Sequence, residues 1–129
     1  MQRFIPALGA LSALMGAAGV ALAAAATHGG GGEIGQTAAY FLILHAGALL
    51  GVTACARGYA ADALLARALL LAGGCLGLGT ILFSGELAVL AFTGARLIAL
   101  AAPVGGALMI LGWLALAGVF VWSVARAGV

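Results

Sequence analysis

Along this chain, hydrophobic residues show neither the alternation of a half-buried strand nor the one-sided stripe of a surface helix. They run without a polar face through four stretches, about 5–26, 38–56, 68–92 and 103–124. A hydrocarbon core about 30 Å thick needs roughly 20 such residues in a helix. The pattern therefore predicts an all-α membrane protein, with four transmembrane helices in one compact bundle spanning residues 1–129.

The stretches are joined by THGGGGEIGQ, whose glycine run is read as a flexible turn, then RGYAADALLAR, then TGARLIALA, read as a short helix lying along the interface. Pro103 suits the first turn of the fourth helix, where its missing N–H costs nothing. The opening MQRFIPALGALSALMGAAGVALAAAA imitates a secretory signal, with a basic start and an A-x-A end. Its apolar run of about 22 residues is long for a signal core, which favours a retained helix.

Composition agrees with embedding. The 129 residues are 66% hydrophobic and 6% charged, against roughly 45–50% and 25% in soluble domains, too few charges to cover a water-facing surface. Lysine is absent, so the basic groups are Arg3, Arg57, Arg67, Arg96 and Arg126. No basic stripe with interleaved aromatics exists, which excludes a nucleic-acid footprint. Arg3, Arg57, Arg67 and Arg126 fall at one side of the predicted spans and Arg96 at the other, so both termini are expected in the cytoplasm. Cys55 and Cys75 are too few for a disulfide framework and read as small apolar fillers.

Small residues are the means by which helices attract one another in lipid. The first stretch carries Gly9, Ser12, Gly16, Gly19, Ala23 and Ala26 at spacings of three and four; the second has Gly47-x-x-x-Gly51 and the third Gly73-x-x-x-Gly77. At 100° per residue, Gly73, Gly77, Thr80 and Ser84 share one face of the third helix, while Cys75, Gly79 and Glu86 share a nearly opposite one. A helix with small residues on both sides is covered on both, which places the third span centrally. Trp122 suits the interface near the end of the fourth span, and the deeper Trp113 reads as packing.

The scarce polar groups lie toward one leaflet. With a rise of about 1.5 Å per residue, His45 sits about 10 Å and Glu86 about 9 Å below the outer boundary. Gln36, Thr37 and Tyr40 lie above them, His28 ends the first helix, and Ser84 is about 3 Å deeper than Glu86. An ionised carboxylate at the bilayer centre costs about 2.5–3.5 kcal/mol and less toward the boundary, so Glu86 is either kept neutral or given a partner among His45, His28, Tyr40 and Arg96. These positions define an expected outward-facing pocket of His28, Tyr40, His45, Ser84 and Glu86.

Several chemistries use such residue types. Imidazole and carboxylate suit a transition metal, but the spacing from His28 to His45 matches no local metal motif, and their unequal depths make axial haem ligation awkward; the cofactor stays undetermined. A proton path through His45 and Glu86 would stop midway, because the inner half offers only Cys55 and Cys75. A Ser84–His45–Glu86 triad is opposed by the roughly 200° between Ser84 and Glu86. GGGGEIG lacks the lysine of a phosphate-cradling loop.

Four segments carry a resemblance: ATHGG, YFLILHAGALL, GTILFSGELAVLAFTG and APVGGALMILGW. In this order they resemble the Ala-His-Gly, Tyr-x-x-x-x-His-Ala, Leu-Phe-Ser-Gly and Thr-Pro-Ile-Gly-Gly segments of the small four-helix membrane proteins grouped as domain of unknown function 423. The resemblance implies a multi-pass bacterial inner-membrane protein and carries no settled activity. His28 and His45 match the family's positions; Glu86 stands where a serine is expected, and Ala102 where a threonine is.

The expected function is a non-enzymatic module that binds a small ligand or metal in this pocket, or a partner in the bilayer, either a second copy or another membrane protein. The alternatives are a small transporter or channel subunit coupling ions through Glu86 and His45, and a membrane enzyme acting on a lipid or quinone head group.

Overall fold

The computed structural model describes residues 3–126 and residue 128. Four helices, α1 (Phe4–His28), α2 (Gly32–Gly58), α3 (Ala63–Thr93) and α4 (Ala101–Arg126), account for nearly all of them. Each is long and apolar enough to cross a membrane.

The helices extend past the apolar stretches at both ends, and two connectors differ from expectation. THGGGGEIGQ is helical at both ends, leaving only Gly29, Gly30 and Gly31 as the turn. Glu33 falls in the first turn of α2, where a negative charge meets the positive end of the helix dipole. Two demands explain the glycines: a Cβ on Gly31 would lie 2.7 Å from the ring of Phe92, which reaches across from α3, while Gly30 and Gly32 take left-handed conformations at φ 85° and 56°. The second difference is TGARLIALA, whose residues 94–100 form turns rather than an interfacial helix. Gly94 ends α3 in the left-handed conformation, at φ 68°, with its N–H returned to Leu90 O.

At the end of the bundle that carries both termini, Asp62 caps α3 by accepting the N–H groups of Leu64 and Leu65, each at 3.1 Å. Its other oxygen meets Arg126 at 3.1 Å. Pro103 lies in the first turn of α4, as its chemistry predicts.

Small residues set the packing. Along the antiparallel α1–α2 seam, Gly9 meets Thr53, Gly16 meets Ala46 and Gly19 meets Ile43, so that positions advance on α1 as they retreat on α2. Ser12, fully buried within this seam, donates to Ala46 O at 2.7 Å. The same logic places α3 between α2 and α4. Gly73 and Gly77 face Val52, Leu49, Leu8 and Leu11, whereas Gly79 faces Gly105 and Met109. The α3–α4 contact is backbone on backbone: a Cβ on Gly79 would lie 2.7 Å from Gly105 O, and one on Gly105 would lie 2.6 Å from both Gly79 O and Phe83 N. Gly112 continues the seam against the backbone of Leu76. Cys75 adds an S–H donated to Leu108 O at 3.4 Å.

Candidate functional site

Of the five residues that the sequence places in one pocket, three are buried: His45, Ser84 and Glu86. Each sits in different surroundings.

His45 projects from α2 toward α4. Its Nδ1 lies 2.9 Å from Phe41 O one turn back, and its Nε2 lies 3.4 Å from the indole Nε1 of Trp113. A carbonyl oxygen can only accept and an indole N–H can only donate. Together the two contacts define the tautomer, with hydrogen on Nδ1 and a bare, accepting Nε2. The ring also stacks on Phe41, 5.7 Å between centroids and 12° from parallel, and Phe41 in turn packs on Phe83 at 4.7 Å. Trp113 is thus more than filler. Trp113 is itself 46% exposed, and an indole N–H away from water calls for an acceptor; that general need was the one signal in the sequence that could have paired it with an intramembrane histidine.

Glu86 projects from the other side of α3, toward the connector into α4. Its Oε2 accepts the backbone N–H of Ile98 at 3.0 Å, tying residues 94–100 down onto the bundle just before α4 begins. That partner is a backbone group, outside the set of side chains considered from sequence, and Arg96 forms no ion pair with Glu86. The second oxygen, Oε1, is buried without a hydrogen-bond partner in the protein.

Ser84 is fully buried, and its Oγ likewise has no partner. It lines a groove between α1 and α3 together with Met15, Ala18, Leu42 and Gly85, away from Glu86. Tyr40 is exposed on the outer face of α2, and His28 is exposed at the last turn of α1. The geometry therefore joins His45 to Trp113 and Glu86 to Ile98. Among the described residues no hydrogen bond, ring contact or common cavity links His45 with Glu86, and no three His, Cys, Asp or Glu side chains converge as a metal site would need.

These contacts give the polar side chains a shared chemical role. Ser12 joins α1 to α2, His45 joins α2 to α4, Cys75 joins α3 to α4, and Glu86 joins α3 to the connector. In lipid, where water cannot satisfy a backbone or side-chain group, such bonds also fix which helix faces which. For Glu86 a direct consequence follows. Glu86→Gln retains an acceptor oxygen, whereas Glu86→Leu leaves the Ile98 N–H alone, a loss of about 1 kcal/mol. Limited trypsin digestion in nanodiscs should cut after the exposed Arg96 about fivefold faster in Glu86→Leu than in wild type, with Glu86→Gln near wild type. Equal rates in all three would remove Glu86 from this role.

No solved structure matches the chain. The family model described as a protein of unknown function (DUF423) matches residues 12–106, a region that contains the α1–α2 seam from Ser12 onward, His45, Glu86 and the Gly79–Gly105 contact. This four-helix, multi-pass membrane protein belongs to the DUF423 family.

Proposed function

We propose that this protein is a non-enzymatic module of the bacterial inner membrane, with both termini in the cytoplasm, that acts by lateral association and pairs first with a second copy of itself. The observation carrying this reading is the outer face of α2. Tyr40, Leu44, Gly47 and Gly51 lie within an arc of about 60°, all of them exposed. Nothing comes within 4 Å of a Cβ built on Gly47 or Gly51, whereas Gly73 and Gly77 of α3 are closely covered by their neighbours. A small-xxx-small pair lets the backbones of two helices approach closely in lipid.

Two further points support the partner-binding form of this reading over a small-ligand one. Both ring nitrogens of His45 are engaged within the chain, and one oxygen of Glu86 holds the connector. The orientation follows from the arginine distribution, with four at the end carrying the termini and Arg96 at the other, and the bacterial inner membrane from the family resemblance.

Single-molecule photobleaching of labelled protein in vesicles tests it. Wild type should show two-step traces in a fraction that rises with protein density, and Gly47→Leu/Gly51→Leu should shift the population to single steps by at least tenfold in the dimer constant. Single steps throughout for wild type, or an unchanged dimer in the double variant, would overturn the proposal.

A further inference from the structure

α1 packs chiefly on α2 and meets α3 only sparsely, through Leu8 against Gly73 and Leu11 against Gly77. Beside that line of contact α1 and α3 leave open space. Between them, at the end of the bundle carrying the termini, opens a groove of about 600 Å³ lined by Phe4, Leu8, Leu11, Leu70 and Gly74, with Arg67 at its mouth. The walls are apolar along their length, and the only charged group lining the groove is that guanidinium.

Arg67 is exposed and, among the described residues, takes part in no ion pair; the ion pair at this end of the bundle joins Arg126 to Asp62. Arg67 sits one turn into α3, close to the boundary expected from the apolar run that begins at about residue 68. Arg3, at the start of α1, immediately precedes Phe4 of the groove wall. An apolar furrow that ends in arginine at head-group height is complementary to one molecule of the bilayer itself: an acyl chain along the furrow and a phosphate at the guanidinium, which forms paired, charge-assisted hydrogen bonds with phosphate oxygens.

We infer that the α1–α3 groove is a binding site for one anionic phospholipid of the leaflet facing the termini, held by its acyl chain against Leu8, Leu11 and Gly74 and by its phosphate on Arg67. This site lies apart from the α2 face and does not depend on dimer formation. Selectivity arises at the head group. Phosphatidylglycerol brings a net negative charge to Arg67, whereas in phosphatidylcholine the choline cation cancels it.

Native mass spectrometry of protein released from nanodiscs of matched acyl composition tests both halves of the site. Wild type should carry one phosphatidylglycerol in preference to phosphatidylcholine by about fivefold, the effect of one basic residue near a membrane surface. Arg67→Gln should abolish the preference while leaving weak binding of either lipid. Gly74→Leu, at a position where an added Cβ meets nothing within 4 Å, should reduce binding of both lipids by filling the furrow. Equal retention of the two lipids by wild type, a preference unaltered by Arg67→Gln, or a second protein chain in place of the lipid adduct would each overturn the inference. Dimer content in the same spectra reports on the α2 face separately.

Discussion

Gly105→Leu should take α4 off α3. A Cβ at this position would stand 2.6 Å from Gly79 O and from Phe83 N, and 3.0 Å from Phe83 Cα. These are backbone atoms of the opposing helix, so no rotamer change relieves the clash and the two helices have to move apart. Doing so loosens the seam that also includes Cys75 on Leu108 O and Gly112 on Leu76. The expected cost is about 3 kcal/mol or more, at the upper end of overpacking effects. Gly106, the next residue, has nothing within 4 Å of its Cβ position. Gly106→Leu should therefore stay within about 0.5 kcal/mol of wild type. Unfolding in bicelles by steric trapping, which gives a free energy without removing the lipid, checks the pair. Equal losses for both variants would mean that the α3–α4 contact is not the close one described.

The second large effect is expected at His45. Its imidazole is 3% exposed, fills space against Phe41 and Trp113, and satisfies the indole N–H. His45→Ala leaves a cavity and an unpartnered donor together, a loss of about 2–3 kcal/mol. Trp113→Phe removes the donor and part of the ring, about 1 kcal/mol. In the double variant the two losses should fall short of additivity by about 0.6 kcal/mol, the typical size of a hydrogen bond between membrane helices. Strict additivity would separate the two rings. Since α2 and α4 make no close backbone contact, this bond and the apolar side chains around it are what hold one helix to the other.

The spans were legible in sequence because the physical demand is simple. A helix in hydrocarbon must be apolar on all sides for about 20 residues, and four stretches satisfy that. The central place of α3 was legible for a related reason, since Gly73 and Gly77 on one face and Gly79 on the other announce two close neighbours. The relation between His45 and Glu86 was not. Helical rise gives height along the bundle normal, but the direction in which a side chain faces depends on which helices adjoin, and level residues can look into different interfaces. Glu86 shares the face of Gly79, which meets α4 and its connector, while His45 lies on α2. The partner of Glu86 is also a backbone amide of the irregular segment 94–100, and a backbone donor freed by a left-handed glycine at position 94 leaves no mark in a list of polar side chains. Four glycines in a row suggest flexibility, whereas here Gly31 allows close approach of Phe92 and Gly30 and Gly32 supply left-handed backbone, so the helices continue up to the turn at residues 29–31.

Polar side chains bond the helices of this chain to one another, and His45 reports on these bonds most directly. Nitrogen-15 spectra of histidine-labelled protein in lipid, with Gln in place of His28 so that one imidazole remains, report which ring nitrogen carries hydrogen. A protonated Nδ1 with a bare Nε2 shifted by the Trp113 indole is the predicted result, and the Nε2 shift should change in Trp113→Phe. Hydrogen on Nε2, or an Nε2 signal indifferent to Trp113, would contradict it.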